Sequence, residues 1–338
     1  MKLAIVCQRY DASGPAERFI ARSLPALERA GAEVTLITRK AEGWGARRVL
    51  RVDPFHAGKL WGDSAFAGAA RKAWLKEGFD LVQSHEPIPG CHVYRPGGEM
   101  HSPALLKETI EHPRLRAVMC PSKKVRDELR RAFRIAPEKL HVIYSGVDLE
   151  QFHPRERERL RGTARAELGC RPRDTVFLIA GSEGLGAAID ALAAARNEGF
   201  WLVVAGEVET GQLRRKAAAV SKRVHFLGRR DDPRPLYAAA DCLLAPGGDG
   251  AFQDSVLEAL AMGLPAIVSS RSGAAEAIEP GVNGWLCEPG DAPGLARLLA
   301  GADAAAGGGS MDAAARASAE RFGTEATVRQ VTELYASL

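Results

Sequence analysis

The sequence lacks any long hydrophobic run. Its longest uninterrupted apolar stretches, such as residues 3–7 and 177–180, fall far short of the roughly 20 residues that a helix needs to cross a bilayer. The opening residues, MKLAIVCQRY, hold too short an apolar stretch for a signal peptide and are typical of a first β-strand. We therefore expect no membrane-spanning segment and no export signal.

Cysteine is sparse, and none of it is arranged as a binding motif. The six cysteines lie far apart, mostly among apolar neighbours, and no two form a CxxC pair. This pattern predicts reduced, buried thiols in a cytoplasmic protein. No HxH or DxD cluster is present either, so the sequence predicts no metal site and no cofactor.

Positive charge is not concentrated in a dense stripe. Residues 1–150 hold 25 Lys and Arg against 18 Asp and Glu, whereas the remainder holds 21 against 24. A modest basic excess of this kind can steer an anionic ligand or a lipid surface. Nucleic-acid binders carry clustered basic residues, so we do not expect a nucleic-acid partner.

The sequence does contain one alternating pattern of secondary structure, which occurs once in each half. In each half, short β-type runs such as EVTLIT and WLVVAG alternate with helical patterns such as residues 16–30 and 187–197. Strands that alternate with helices predict parallel sheets built from right-handed βαβ units. The sequence therefore predicts an α/β protein with two Rossmann-like domains facing across a cleft, in which ligands bind at the carboxyl ends of the strands.

The predicted domain boundary lies in a charged passage. Residues 150–172 are helix-prone and contain no strand pattern, which is typical of a solvated connecting helix. We therefore predict a first domain at residues 1–155 and a second at residues 156–323. A last helix, about residues 324–338, has apolar residues at helical spacing and is a candidate to pack back on the first domain.

Four segments carry a family resemblance by their order and spacing. They read SGPAERFIARSLPALERAGAEVTLIT, HVIYSGVDLEQFHP, VHFLGRRDDPRPLYAAADCLLAPG and SVLEALAMGLPAIVSSRSGAAEAIEPGVNGWLCEPGD. Together they resemble the GT-B-fold retaining glycosyltransferases of the large family-four type. A further passage, HEPIPGCHVYRPGGEMH, is similar to the lipopolysaccharide core glucosyltransferase branch of that family.

The resemblance implies a metal-independent enzyme that transfers a hexose from a UDP-sugar donor to a lipid-linked oligosaccharide acceptor, such as a lipopolysaccharide core. It assigns the acceptor to the first domain and the nucleotide sugar to the second. It also implies a cytoplasmic enzyme, with the inner face of the inner membrane as a candidate location and an anionic membrane surface as a candidate partner.

Glu258 is the one acid on an otherwise apolar helix in DGAFQDSVLEALAMGLP. Burying an unpaired carboxylate costs several kcal/mol, so Glu258 is predicted to meet hydroxyl or N–H donors. The resemblance implies that these are the hydroxyls of the nucleotide ribose. The donor-binding residues expected beside it, at the helix start where backbone N–H groups lack helical partners, are Gln253, Asp254, Ser255 and Val256.

Two residues of the first domain are further candidates. Gly14 follows the first strand in a Ser-Gly-Pro turn, and the resemblance implies that this loop closes over the donor phosphates and the incoming hydroxyl. His85 ends the strand-like DLVQSH, where the resemblance implies a catalytic contact with the donor sugar. Ordinary turn chemistry at Gly14 and a packed strand-end histidine at His85 are the alternatives.

The chain departs from the family at the first acid of its paired-glutamate motif. In the family, two glutamates are separated by seven residues, and the first grips the donor sugar. Counting back from Glu258 gives Gly250, while Asp249 lies one residue earlier. Asp249 is a catalytic candidate if the loop shifts, and otherwise it faces water.

A second departure removes the cationic clamp on the diphosphate. The family has an Arg and a Lys after the first strand of the second domain, whereas this chain reads LIAGSEGLGAAIDAL, with Glu183 as the only charge before Asp190. Arg229 and its neighbour Arg230 could substitute as donor-binding cations. Their alternative is a surface position beside the nucleobase loop.

Residues 122–134, SKKVRDELRRAFR, combine an apolar stripe with many basic residues. Such a helix can lie on an anionic bilayer, which makes Lys123, Lys124, Arg130 and Arg131 candidate membrane-surface residues. The alternative is an ordinary helix that packs its apolar face on the sheet of the first domain.

Three functions remain open from the sequence. The first is the glycosyltransferase described above. The second is a degenerate, catalytically weak or inactive GT-B protein that binds nucleotide or acts as a scaffold in glycan assembly, which Gly250 and the clamp-free loop favour. The third is another chemistry of the same fold, such as sugar-nucleotide epimerisation, because fold alone does not separate these reactions.

Overall fold

The computed structural model describes residues 1–11, 14–55, 59–97, 103–208, 210–248, 252–307 and 309–338. It divides into two compact units, residues 1–145 with 324–338 and residues 146–323. Both units are α/β with parallel sheets, which is the fold class that the sequence predicts. Within the described residues, no helix is long and apolar enough to span a membrane.

The first unit is built on one parallel sheet. Its strands are β1 (Lys2–Val6), β2 (Arg9–Tyr10), β3 (Glu33–Thr38), β4 (Lys40–Ala41), β5 (Val49–Arg51), β6 (Leu81–Ser84), β7 (Val93–Tyr94), β8 (Ala117–Cys120) and β9 (Leu140–Val142). Its first helices are α1 (Pro15–Arg29), α2 (Lys59–Glu77), α3 (Pro103–Ile110) and α4 (Lys123–Ala132), with a 3₁₀ turn at Pro137–Lys139. The sheet order is β5-β3-β1-β6-β7-β8-β9, while β2 and β4 form a separate short pair.

The second unit repeats the arrangement. Its strands are β10 (Thr175–Ala180), β11 (Phe200–Ala205), β12 (Val224–Gly228), β13 (Cys242–Ala245), β14 (Ala266–Ser269) and β15 (Gly284–Cys287), in the order β12-β11-β10-β13-β14-β15. Its helices are α5 (Pro154–Leu168), α6 (Leu185–Ala195), α7 (Thr210–Lys216), α8 (Arg234–Ala239), α9 (Asp254–Ala261), α10 (Ala292–Ala305) and α11 (Ser310–Glu320), with 3₁₀ turns at Ala217–Arg223 and Gly273–Ala277.

The core strands are buried along nearly their whole length, as parallel sheets covered by helices on both faces require. Leu3 to Val6 in β1 are at most 1% exposed, and so are Val176, Phe177 and Ile179 in β10. Each unit therefore has its own core, with polar residues displaced to the ends of the strands.

The units divide after Ser145, earlier than the predicted boundary at 155/156. Val147 donates its N–H to the Phe322 carbonyl at 2.9 Å, and the Arg316 guanidinium donates to the carbonyls of Leu149 and Phe152 at 3.2 and 2.9 Å. These bonds join residues 146–153 to the end of the second unit, so a passage that was predicted to belong to the first domain belongs to the second.

The C-terminal helix α12 (Thr324–Ser337) belongs to the first unit. Val331, Leu334 and Tyr335 are buried in the same hydrophobic core as residues of β1 and α1. The first unit is therefore discontinuous in sequence, with the whole of the second unit inserted between Ser145 and Thr324.

A buried ionic cluster fixes α5 against the second sheet. Arg165 donates to an Asp241 carboxylate oxygen at 3.0 Å, and Arg161 donates to the other oxygen. The same two guanidiniums donate to the carbonyls at the end of α8, those of Ala238, Ala239 and Ala240. Asp241 also accepts the N–H of Val176 at 2.8 Å, so one carboxylate holds α5, α8 and β10 together.

Replacing Asp241 by Ala is expected to destabilise the second unit by about 3–5 kcal/mol, because it leaves a buried Arg165 without its charge partner. For a unit of this size the loss corresponds to a fall of roughly 6–20 °C in melting temperature. Differential scanning calorimetry measures it directly.

The matched control is Asp232→Ala, which removes another Arg–Asp pair, to Arg234 at 2.8 Å. The Asp232 side chain is 46% exposed, against 9% for Asp241. Exposed pairs contribute about 0–1 kcal/mol, so Asp232→Ala should leave the melting temperature nearly unchanged. Equal effects of the two substitutions would contradict this account of the cluster.

Candidate functional site

Glu258 is buried on α9 and is held by a hydroxyl donor. It is 5% exposed, and the Tyr237 hydroxyl donates to its Oε2 at 2.8 Å. Tyr237 is itself fixed by burial on α8 and by edge-on contact with the Phe152 ring, at 6.1 Å between centroids. A buried carboxylate with a hydroxyl partner is what the sequence predicts at this position.

The start of α9 offers fewer backbone donors than the sequence suggests. The helix begins at Asp254 with Gln253 as its N-cap residue, but Val256 already donates its N–H to the Gln253 carbonyl at 3.1 Å. The Val256 amide is therefore already engaged within the helix, and its contact with donor oxygens stays a prediction. Asp254 and Ser255, which come earlier in the turn, keep the favourable position for an anion at a helix N-terminus.

Glu183 lies against the start of α9, in the loop after β10. Its Oε2 accepts a hydrogen bond from the Gln253 side-chain amide at 2.9 Å. A Cβ added at Gly247 would lie 2.6 Å from the Glu183 Cβ, so the loops after β10 and β13 approach as closely as they do only because residue 247 is glycine. A carboxylate is thus brought to the place where the resemblance implies a diphosphate and two cations.

A cavity of about 530 Å³ opens at the carboxyl ends of β11 and β12. The Arg214 guanidinium lies over the Phe226 ring, 4.8 Å from its centroid, and forms part of the wall. The cavity is lined by Val204, Gly206, Glu207, Val208, Arg214, Phe226 and Gly228. Ligands of open α/β sheets bind at this edge, which makes the cavity a candidate for a planar group such as a nucleobase.

Arg229 follows Gly228, which lines this cavity, but the Arg229 side chain lies at the surface. Its side chain is 52% exposed, and its guanidinium lies 4.0 Å from the Asp231 carboxylate. This geometry matches the surface alternative for Arg229 and gives no support to its substituting for the missing clamp.

His85 directly follows β6 in the first unit and is almost completely buried. It is 3% exposed, and burial, with a smaller contribution from the Arg95 charge, lowers its pKa from 6.5 to about 3. Its Nε2 is 2.7 Å from the Gln83 amide nitrogen, whereas its Nδ1 has no hydrogen-bond partner among the described residues. His85 is therefore a neutral imidazole, and one of its ring nitrogens is buried without a hydrogen-bond partner among the described residues.

The N-terminus of α1 is occupied by a carboxylate of the chain itself. Gly14 is the N-cap residue, and the Glu17 carboxylate folds back so closely that it overlaps the place where a Gly14 side chain would start. Burial raises the pKa of Glu17, helped by the nearby charges of Asp11 and Glu86. The expected phosphate contact at Gly14 therefore has to compete with Glu17 for this helix end.

Asp249 and Gly250 lie outside the described residues, so the first acid of the paired motif stays a prediction. Among the described residues, no group of three or more His, Cys, Asp or Glu side chains is arranged to hold a metal ion.

The membrane prediction for α4 is wrong in one respect. Leu129 is buried, and Val125 and Phe133 pack against the core of the first unit, so the apolar face is not available to a bilayer. Lys123, Arg130 and Arg131 are exposed, while Lys124 is half-buried and pairs with Glu128 at 2.7 Å. Amphipathic spacing alone does not distinguish a helix packed on a protein core from one lying on a bilayer, because both have apolar residues at the same spacing.

Tyr237 and Gln83 are two site residues that the sequence did not indicate. Each contacts a predicted side chain: Tyr237 reaches Glu258 because α8 packs beside α9, whereas Gln83 is a near neighbour of His85 in the sequence. Gln83 lies on β6 two residues before His85, and in an extended chain this spacing points both side chains to the same face, so it was a usable signal.

Two family models match the chain. The model of Glycosyltransferase Family 4 matches residues 16–151, and the model of Glycosyl transferases group 1 matches residues 176–301. A D-inositol 3-phosphate glycosyltransferase from Mycobacterium sp. (strain KMS) is 29% identical over 234 residues. That match covers 62% of this chain and 52% of the relative, so it spans about half the relative's length.

Two solved structures resemble the chain over nearly its whole length. WaaG, a glycosyltransferase involved in lipopolysaccharide biosynthesis, matches with a TM-score of 0.88 and 21% identity, covering 98% of this chain and 99% of WaaG. Alr3699/HepE from Anabaena, solved in complex with UDP, matches with a TM-score of 0.80 and 21% identity over all of both chains. At this level of identity the likeness shows the shared fold.

The burial of His85 predicts that its imidazole stays neutral between pH 8 and pH 5. The unfolded chain takes up a proton on this residue below about pH 6.5 and the folded protein does not, so His85 reduces the free energy of unfolding by up to about 1.4 kcal/mol per pH unit as the pH falls. Proton NMR of the histidine ring, assigned with His85→Asn, should show no titration of His85 in this range. A titration midpoint above pH 5 would contradict the prediction.

Proposed function

We propose that this chain, which belongs to the GT-B glycosyltransferases with family 4 and group 1 domains, is a retaining enzyme that transfers a hexose from a UDP-sugar to a lipid-linked oligosaccharide such as a lipopolysaccharide core. The observation that carries the proposal is the buried Glu258, held by Tyr237 on a helix whose start lies at the carboxyl edge of the second sheet. The complex of HepE with UDP and the pathway of WaaG support the choice of donor and acceptor.

On the donor side, Glu258 accepts hydrogen bonds from the ribose hydroxyls. Tyr237 keeps the carboxylate in one orientation, so little freedom is lost when the nucleotide binds. The base occupies the cavity beside Arg214 and Phe226, and the first turn of α9 faces the diphosphate. The proposal includes no metal ion.

In the first unit, His85 donates a hydrogen bond to an oxygen of the sugar substrate through Nδ1, the ring nitrogen without a partner among the described residues. A neutral imidazole that stays neutral at low pH is a hydrogen-bond donor and not a base of variable charge. Retention then follows from attack on the same face of the sugar within an ion-pair-like transition state, which requires no protein nucleophile.

One observation favours the second candidate function, a nucleotide-binding or scaffold protein of low activity. Glu183 stands where two cations would stabilise the departing diphosphate. Each such donor contributes roughly 2.7–4 kcal/mol to the transition state, so the loss of both lowers the rate by about 10⁴–10⁶-fold. We therefore expect slow turnover, with binding of the nucleotide less affected than the chemistry.

Glu258→Gln is expected to weaken UDP binding by about 10- to 100-fold, because the amide replaces a charged acceptor that serves the ribose hydroxyls. Tyr237→Phe should weaken it less. Isothermal titration calorimetry with UDP, and then with UDP-glucose and UDP-N-acetylglucosamine, measures both effects. Glu279→Gln, an exposed acid of the same unit, is the control and should bind as the unaltered protein does.

Glu183→Gln should act in the opposite direction in the same titration. It removes a negative charge beside the proposed diphosphate, so UDP should bind about 3- to 10-fold more tightly. If the unaltered protein binds no UDP at millimolar ligand, the proposal is wrong. Tight binding with neither transfer nor slow hydrolysis of any UDP-sugar would favour the scaffold function instead.

We also propose that the exposed face of α4 attracts an anionic membrane surface by charge alone. Replacing Lys123, Arg130 and Arg131 together by Gln should weaken co-sedimentation with phosphatidylglycerol vesicles at least tenfold, since each basic residue contributes about 1 kcal/mol near such a surface. The matched control replaces the exposed Arg29, Arg51 and Lys72 of the same unit. An equal loss from both triple variants would show a general charge effect and refute a role for α4.

A further inference from the structure

A buried chain of hydrogen bonds leads from the C-terminal helix to His85. The Tyr335 hydroxyl on α12 donates to the Gln83 side-chain oxygen, and the Gln83 side-chain nitrogen lies 2.7 Å from His85 Nε2. Gln83, His85 and Tyr335 are 2%, 3% and 7% exposed. Three polar side chains are therefore linked in a region from which water is excluded.

The donors and acceptors of these hydrogen bonds run in one direction, which the Tyr335 hydroxyl sets. A buried phenol must donate its proton to an acceptor, and the Gln83 carbonyl oxygen is the acceptor that it meets. This turns the NH₂ group of Gln83 towards His85, where it can only donate. If the amide were turned over, the Tyr335 hydroxyl would face an NH₂ group and its proton would be left without an acceptor, and a buried unsatisfied group is costly.

The direction of the chain determines the tautomer of His85. Since Nε2 accepts a hydrogen bond from Gln83, the single proton of the neutral ring is on Nδ1. Nδ1 is the ring nitrogen that has no partner among the described residues. The imidazole is thus left with one buried N–H donor at the carboxyl end of β6, where ligands of such sheets bind.

We propose that Tyr335 and Gln83 are positioning residues that hold His85 as its Nδ1–H tautomer, so that this N–H donates to a hydroxyl or other oxygen of the bound sugar substrate. The ligand contact rests on the proposed function of the site, whereas the tautomer does not. Gln83 and Tyr335 act through His85, so their substitution should change the polarity of its ring and leave the rest of the first unit in place.

The test is Gln83→Glu, which keeps the shape and the contact with Tyr335 but replaces the NH₂ donor by an acceptor. In the unaltered protein without ligand, ¹⁵N NMR of labelled histidine should show His85 protonated on Nδ1 and bare on Nε2. In Gln83→Glu, Nε2 should carry a proton. The substitution should lower kcat/KM for sugar transfer by about 10- to 100-fold, the range for losing one hydrogen bond to substrate.

Tyr335→Phe is the second variant, in case Gln83→Glu does not fold. It removes a single hydroxyl and frees the Gln83 amide to turn over, so both tautomers of His85 should be populated and kcat/KM should fall about 3- to 10-fold. Tyr10→Phe is the matched control, a buried tyrosine of the same unit, and should change neither the tautomer nor the rate.

Calorimetry with UDP separates this inference from the proposed function. Both variants should bind UDP within about twofold of the unaltered protein, because the proposed contacts of UDP lie in the second unit. A His85 ring that carries its proton on Nε2 in the unaltered protein, or a tautomer that Gln83→Glu does not change, overturns the inference. Should the unaltered protein transfer no sugar at all, the tautomer measurement still decides it, because that measurement needs no ligand.

Discussion

Every strand pair in the two main sheets is parallel, and the rest of each unit depends on this constraint. Parallel strands need crossover helices, which bury both sheet faces and leave little room for polar side chains except at the strand ends. The carboxyl ends of all strands in a sheet meet at one edge. This is why Glu183, Gly206 and Gly228, which are distant in sequence, line one edge of the second unit.

The fold class could be predicted from the sequence because alternation of strand and helix is a local pattern. The contacts between residues distant in sequence could not be predicted. Glu258 was identifiable because an acid in the middle of an apolar helical run needs a partner, yet its contact with Tyr237 depends on how α8 packs beside α9. The early division after Ser145 depends on bonds to Arg316 and Phe322, more than 160 residues later. For α4, the spacing fits a core face and a membrane face equally well, and only packing distinguishes them.

Carboxylates of the chain itself lie near the two helix starts that are proposed to face phosphate. Glu17 folds over the first turn of α1, and Glu183 reaches the start of α9 through Gln253. A helix N-terminus attracts negative charge whatever its source, so an anionic ligand must displace or tolerate these carboxylates. The raised pKa of Glu17 makes its charge easier to neutralise than that of an exposed acid. The proposed site thus combines a buried carboxylate for the ribose with weak attraction for phosphate.

The return of α12 to the first unit has a consequence for how the protein is made. Tyr335 follows Gln83 by 252 residues, and the second unit is synthesised in between. Domains generally fold as units while the ribosome is still translating, but the first unit has to wait for its last helix. Until α12 packs, the space that Tyr335 fills is empty, and the Gln83 amide that bonds to His85 has no fixed orientation. The second unit can therefore complete its fold before the first unit does, although most of the first unit precedes it in the sequence.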